Sequence, residues 1–556
     1  MSADPQHFGN SDAAKAQAHP DEESSDPARA AAAGKRPAKG GSKLLKAGAV
    51  TAAATFLSRI LGMVRDMVIA SVLGASAASD VFFFANRIPN FFRRLFAEGA
   101  FSQAFVPVMT KTKEAGGSDE LKELISRSAG TLGTVVLVIT VLCMLLSPVL
   151  TAAFGWGWFQ EYLQGGEHAE KFPQATLLLR ITFPYLLFIT LTALSSAVLN
   201  VFGRFGIPAV TPCILNLTLI AAVYLCADRF ADPNVVLAYG MVAGGVLQLL
   251  FQLPFIFKLK LLVWPRWGWH HPGVTRIREL MLPAILGVSA SQLNLFINTL
   301  LATFLSTGAI SYLYYSDRLL EFPIGIFAVA ISTVILPALA RVKHQEDDEA
   351  YRRTLDWGVR LVLLLGIPSM CGMIALREPI LRVIFMRGAF SPEHVQLSAA
   401  SLLASVSGLC AIMLVRVLVQ GFAARQDTRT PVRCSLCAIA ANIILNLILI
   451  APLGYIGLAL STALAAYVNS GLLLYFLKRD GIYRPSKDTI SFTLKALLGG
   501  AAMAAALRFM CPDFEAWVDM STLHSVLELI LWVGAGALIY FALLLGLGVR
   551  MSTFRR

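Results

Sequence analysis

Over most of its length the chain alternates long apolar runs with short polar connections. A run of about 20 apolar residues matches the ~30 Å hydrocarbon core of a bilayer at the α-helical rise of ~1.5 Å per residue. Fourteen such runs predict fourteen transmembrane helices, near 46–74, 79–109, 129–154, 174–201, 207–227, 234–257, 275–305, 311–340, 356–385, 394–423, 431–451, 455–477, 488–508 and 525–549. The expected fold is therefore an all-α polytopic membrane protein. An even number of spans puts both termini on one side. The loops at 111–127, 202–206, 258–278, 341–353, 425–433 and 478–487 carry 21 lysines and arginines, and the alternate loops only Lys171, Arg229, Arg387 and Arg508. The positive-inside rule assigns the first set, and with it both termini, to the cytoplasm.

One pattern repeats. ASVLGASAASDVFFFANRI at 70–88 aligns with ATFLSTGAISYLYYSDRLL at 302–320, a shift of 232 residues with one position deleted before the arginine of the second copy. Six spans separate the copies, so both have the same orientation. Two six-helix lobes related by a pseudo-two-fold axis along the membrane normal, plus two C-terminal helices, satisfy this pattern. The expected units are residues 44–268, 269–482 and 483–556. Repeated halves are a common transporter design, with the substrate site between them.

Composition sharpens this picture. Of 556 residues, 56% are hydrophobic and 15% charged, and the mean hydropathy is +0.65. The net charge of +12 lies in short loops, which is a topology signal and not a nucleic-acid surface. Eight scattered cysteines give no disulfide framework, and Cys434 and Cys437 form a lone CxxC at the start of an apolar run with no second pair or nearby histidine. Packing explains them better than zinc or redox chemistry. Residues 1–43 are polar, lack an apolar signal core and are expected to form a disordered cytoplasmic tail. Their basic second half suits anionic headgroups, although orientation signalling explains the same charges.

The candidate chemistry lies where lipid should be. The stretch SRILGMVRD at 58–66 puts Arg59, Arg65 and Asp66 inside the first span; the second holds Asp80, Arg87, Arg93, Arg94 and Glu98; the eighth holds Asp317, Arg318 and Glu321. Each charge at mid-membrane costs about 2.5–3.5 kcal/mol on insertion scales, so these groups must face water, protein or a ligand. Helical rise places Arg59 with Arg93 or Arg94 at mid-depth, and Arg65, Arg87 and Arg318 in a tier above. Single arginines are also explained by interhelical ion pairs that fasten the bundle, with Arg94 and Glu98 at i, i+4 as a local pair within one helix. The surplus of arginine over acid points to an anionic ligand, and the guanidinium fork suits phosphate. Pro89 is expected to kink the second span, with Pro184 and Pro323 in similar places. Ser291, Asn294 and Asn298 form a polar stripe in the seventh span, and Asn442 and Asn446 a similar pair in the eleventh, suited to interhelical hydrogen bonds.

Together with RFGIPA (204–209), PAILGVS (283–289), YYSDRLLEFPIGI (314–326) and FAARQDTRTP (422–431), SRILGMVRD and the block RRLFAEGAFSQAFVP resemble the MurJ (MviN) family of lipid II flippases. That family sits within the multidrug, oligosaccharidyl-lipid and polysaccharide exporter superfamily. The resemblance runs from about residue 44 onward; the long tail before it is a departure from the family. It implies a V-shaped fourteen-helix fold with a central cationic cavity, alternating between inward-open and outward-open states. The implied substrate is lipid II, the undecaprenyl-diphosphate-linked peptidoglycan precursor, moved across the bacterial inner membrane. By motif it implies substrate-binding roles for Arg59, Arg65, Arg93, Arg94 and Arg318. Asp66, Asp80, Asn90, Glu98, Asp317 and Glu321 become gate or supporting residues, with Arg87 beside them. Membrane lipids and cell-wall synthesis proteins are the expected partners, and no nucleic acid. No GxxxxGK[ST] loop occurs, so no cofactor is expected and the driving force falls to an ion gradient, the membrane potential or consumption of lipid II. The competing readings are a flippase for another polyprenyl-linked glycan and a membrane-embedded lipid II polymerase. The short outer loops, the largest carrying only Glu161, Glu167 and Glu170, disfavour the polymerase.

Overall fold

The computed structural model describes residues 39–95, 100–226 and 232–549, and every regular element among them is a helix. The first half comprises α1 (Lys39–Leu73), α2 (Ala77–Arg93), α3 (Ala100–Glu114), α4 (Ser118–Leu145), α5 (Ser147–Phe154), α6 (Trp156–Gln164), α7 (Lys171–Thr182), α8 (Pro184–Val201), α9 (Gly206–Cys226) and α10 (Pro233–Lys258). The second comprises α11 (Pro272–Ala302), α12 (Ala309–Pro323), a π-turn (Ile324–Ala328), α13 (Val329–His344), α14 (Asp348–Ala375), α15 (Arg377–Phe385), α16 (Pro392–Val406), α17 (Leu409–Ala423), α18 (Arg429–Leu453) and α19 (Tyr455–Arg479). Then come α20 (Lys487–Met510), α21 (Phe514–Asp519) and α22 (Thr522–Gly546).

Eleven helical stretches among the described residues are long and apolar enough to cross a membrane. They coincide with the expected spans three to six and eight to fourteen. The first, second and seventh runs form α1, α2 with α3, and α11. The first two of these carry most of the intramembrane charge. α1 begins at Lys39, inside the segment expected to be a disordered tail; it starts two residues after Pro37 and runs through Gly40 and Gly41 into the Ala- and Leu-containing chain from Lys43 onward, which favours helix.

Local chemistry sets the helix ends. Asp232 caps α10 by accepting from Asn234 N (2.8 Å), with Pro233 at the first helical position. Asp347 caps α14 through Ala350 N (2.8 Å), and Ser486 caps α20 through Thr489 N (3.1 Å); each satisfies a donor the helix leaves free. Prolines break the spans as expected at two places. Pro184 opens α8 after an interruption at Phe183, and Pro323 leads directly into the π-turn. Pro89 lies inside α2, which continues to Arg93.

The repeated stretches meet each other. Ser79 and Ser311, 232 residues apart, share a hydrogen bond of 2.8 Å between their hydroxyls. Phe83 stacks on Tyr314 with centroids 3.8 Å apart and packs edge-on against Tyr315 at 5.5 Å. Asp80 accepts from Gly308 N (2.7 Å) and from both the N–H (2.9 Å) and hydroxyl (2.7 Å) of Ser311. One continuous core runs across this junction, through Phe82, Phe83, Phe84, Leu313 and Tyr315.

The segment joining the halves is strapped to α4. Ser126 Oγ donates to Trp264 O (2.5 Å), Arg127 Nη1 to Trp267 O (2.8 Å), and Thr131 Oγ1 accepts from Gly268 N (3.0 Å). The strap lies so close that a Cβ on Gly130 would stand 2.2 Å from Arg266 O. Gly130→Val should therefore cost about 1–3 kcal/mol through forced displacement of backbone, measured as a lowered Tm of the purified protein. Gly133→Ala, whose Cβ would meet only Leu191 at 3.6 Å, should leave Tm unchanged, and equal Tm values for both variants would refute this account.

Candidate functional site

A cavity of about 680 Å³ opens among α1, α2, α8, α9, α10, α11 and α12. Six arginines line it: Arg59 and Arg65 from α1, Arg87, Arg93 and Arg94 from α2 and its end, and Arg318 from α12. Glu321 is the one carboxylate on the lining among the described residues. The wall is therefore strongly cationic. The remaining lining is mixed, with neutral polar groups such as Asn86, Asn216 and Gln248 beside Phe82, Phe83 and Ile189.

Behind the wall sits Asp66, fully buried. Its Oδ1 accepts from Arg65 Nε (2.9 Å), Arg65 Nη2 (2.6 Å) and Tyr314 Oη (3.0 Å), and its Oδ2 lies 2.5 Å from Arg318 Nε. One carboxylate thus holds an arginine from each half of the chain. Arg65 Nη1 also donates to Asn216 Oδ1 (3.1 Å), and Arg318 Nη1 donates to Glu321 Oε2 (2.7 Å). Counting Asp66 still leaves the lining cationic.

Three of the other arginines donate to neutral acceptors. Arg87 Nη1 donates to Thr299 Oγ1 on α11 (2.6 Å), Arg93 Nε to Asn90 Oδ1 (3.0 Å), and Arg94 Nη1 to Gln292 Oε1 (3.0 Å). Asn90 is itself fixed by Asn86, donating to its side-chain oxygen at 2.8 Å.

Two glycines make room for cations from the opposite half. A Cβ on Gly325, in the π-turn, would stand 1.8 Å from Arg59 Nη1, and a Cβ on Gly62 of α1 would stand 2.5 Å from Arg318 Nη2. Each guanidinium lies where a methyl group would otherwise be.

The comparisons with known proteins give the family. The family profile described as "Lipid II flippase MurJ" matches residues 69–528. A "Probable lipid II flippase MurJ" of Vibrio cholerae is 48% identical over 513 residues, covering 92% of this chain and 98% of the relative. The chain belongs to the MurJ family. A MurJ-family protein of Haemophilus influenzae is also 48% identical, covering 89% of this chain and 98% of the relative. The solved structure titled "Lipid II flippase MurJ, inward closed conformation" has a TM-score of 0.73 at 28% identity, covering 89% of this chain and 99% of that one. A solved structure titled as an inward-facing multidrug resistance transporter of the MOP superfamily, at 12% identity and a TM-score of 0.61, shares the fold. MurJ-family membership makes the chain a transporter and not a hydrolase.

Of the residues singled out from the sequence, the five arginines assigned to substrate and Arg87 all reach this cavity. Asp66 and Glu321 pair with them. Of the three arginines expected in the upper tier, Arg65 and Arg318 share Asp66, whereas Arg87 turns to Thr299. Asp80 lies elsewhere, at the junction of the repeats, 2% exposed and 3.9 Å from Lys171 Nζ. Asp317 is exposed, off the cavity wall, and close enough to Arg87 for their charges to interact. Glu98 lies outside the described residues. Asn298 bonds Asn446 (2.7 Å) and Thr462 (3.3 Å), and Asn446 bonds Asn442 (3.0 Å), so this stripe joins α11 to α18 and α19. Asn216, Gln292, Thr299 and Tyr314 were missed as arginine acceptors; their one sequence signal is a polar group inside an apolar run. Lys171 looked like a loop residue yet is 3% exposed and donates to Thr307 Oγ1 (2.8 Å).

Removing the Asp66 charge leaves two guanidinium groups without it, a loss of about 3–5 kcal/mol for a broken buried pair. Asp66→Asn should accumulate poorly in membranes, and the double variant Asp66→Asn, Arg318→Gln should recover part of the level. An Asp66→Asn protein as abundant and heat-stable as the parent would contradict this reading.

Proposed function

We propose that the chain flips lipid II from the cytoplasmic to the periplasmic leaflet of the bacterial inner membrane, by alternating access through the arginine-lined cavity. The observation that carries this reading is six guanidinium groups facing one carboxylate on a single cavity wall. A diphosphate with peptide carboxylates suits that surplus, because guanidinium binds such oxygens in pairs through charge-assisted hydrogen bonds. The polyprenyl tail stays in lipid, so only the headgroup crosses the cavity. Arg59, Arg65, Arg93, Arg94 and Arg318 take the headgroup, while Asp66, Asn90 and Glu321 orient them. Identity with curated lipid II flippases over nearly the whole chain supports the substrate.

The moving parts are two six-helix lobes, 44–268 and 269–482, with 483–556 attached to the second and both termini cytoplasmic. The Ser79 to Ser311 contact supports a symmetry axis between them, since equivalent residues of a repeat meet on its axis. Asp80, bonded to Gly308 and Ser311, serves as the outer gate. A gradient, the membrane potential or lipid II consumption drives the cycle.

The test is a periplasmic accessibility assay for lipid II in cells depleted of the native protein. Arg59→Ala at normal membrane abundance, and Arg318→Ala per molecule of protein that reaches the membrane, should each lower translocation at least about 10-fold, the loss expected when one charge-assisted contact of ~1.5 kcal/mol or more is removed. Arg318→Lys should also fail, because a point charge cannot bond Asp66 and Glu321 with a planar fork. Gly325→Ala should reduce flipping without lowering abundance, since Arg59 can swing away from the added methyl. Normal flipping by all four variants would overturn the assignment.

A further inference from the structure

A second cavity, of about 720 Å³, lies between the C-terminal end of α13 and the N-terminal half of α14. Arg341, Arg353 and Arg360 line it against one carboxylate, Asp356, and Val334, Pro337 and Trp357 give it an apolar side. The flipping reading uses none of these residues.

Asp356 is already saturated with donors. Its Oδ1 accepts from Tyr483 Oη (2.7 Å), and its Oδ2 from Thr489 Oγ1 (2.7 Å), Arg360 Nη2 (2.9 Å) and Ser486 Oγ (3.0 Å). Burial pushes the Tyr483 phenol far above its ordinary value, which keeps it a donor. This network holds Arg360 rigidly and leaves its Nη1 without a protein acceptor among the described residues. Arg353, seven residues and about 10 Å along the same helix, pairs with the exposed Glu349. Arg341, in the last turn of α13, is exposed and has no carboxylate within ion-pair distance among the described residues. Three guanidinium groups therefore line a space where Asp356 and Glu349 offset two of them and leave one positive charge in excess.

The apolar side says what kind of anion fits. Val334, Pro337, Ala338 and Val342 of α13 and Trp357 of α14 form that side, and the exposed Val334 leads from it onto the outer face of α13. A cationic floor opening onto an apolar helix face matches a phosphate that carries hydrocarbon chains. The 341–353 loop belongs to the basic set, so the positive-inside rule puts the cavity at the inner-leaflet headgroup level.

We propose that this cavity binds the phosphate of an anionic membrane lipid from the inner leaflet, at a site separate from the central cavity. The site does not depend on the flipping reading, because its occupancy is read on purified protein. Two lipid sources share the chemistry, a glycerophospholipid and a polyprenyl diphosphate, and the test includes both.

The full chain in detergent is offered equal amounts of phosphatidylglycerol and phosphatidylcholine, and retained lipid is counted by native mass spectrometry. The parent should retain one phosphatidylglycerol at roughly 10-fold preference, and Arg341→Gln, Arg353→Gln should bring that preference to within about 2-fold of parity with unchanged Tm. Both arginines are exposed, so the fold should tolerate the change. Displacement by farnesyl diphosphate extends the site to the polyprenyl class, and displacement by phospholipid alone confines it to glycerophospholipids. Either supports a lipid phosphate. A double variant that keeps the preference, a parent that has none, or displacement by inorganic diphosphate as effective as by the lipids would overturn the proposal.

Discussion

A carboxylate shielded from water and clasped by two guanidinium groups is the contact on which the cavity depends. Arginine is costly in a membrane span unless something answers its charge, and Asp66 answers for one arginine on α1 and one on α12 at once. That ties α1 to α12 through their side chains, brings Tyr314 and Asn216 into the same network, and leaves Arg59, Arg87, Arg93 and Arg94 on the cavity lining. A charge balanced locally at each arginine would have produced a well-fastened bundle. Balancing only part of them produces a container with a sign.

The opposite device operates where the repeats meet. Asp80 is buried beside Lys171, yet most of its bonds are to the backbone and hydroxyl of the second half. α6 and the loop after it reinforce that junction, with Gly157 N donating to Thr303 Oγ1 (3.2 Å) and His168 Nε2 3.1 Å from Thr307 Oγ1. Many short polar contacts, none of them a strong isolated ion pair, make a seal whose strength is divided among several bonds. At the far end of the chain the last two helices are fastened differently. Arg382 donates to Trp517 O (2.7 Å) and Met520 O (2.5 Å), and Asp356 holds Ser486 and Thr489, so α20 to α22 are tied to α14 and α15 at both ends.

The sequence made the arginines legible because charge inside an apolar run has few physical explanations. The equivalence of Ser79 and Ser311 was legible too, as a shift of 232 residues, whereas their contact was not. The acceptors were not. Gln292, Thr299 and Asn216 are neutral residues of a kind that also serve helix packing, as Asn298 and Asn446 do here, and only side-chain geometry separates the two uses. Lys171 was hidden for a different reason: hydropathy assigns a lysine after a short loop to solvent, while here Asp80 and Thr307 compensate its burial. The strap across α4 was hidden as well, since 259–271 reads as a basic, tryptophan-rich loop with no hint that Gly130 leaves space for it.

Gly62 and Gly325 each leave a gap that a guanidinium from the other half fills. Their missing side chains determine how far Arg59 and Arg318 lie back from the centre of the cavity. At fixed composition, electrostatic potential depends on where charge sits, so two hydrogen atoms help to set the field inside this cavity. A methyl group at either position would change that field with no change in net charge.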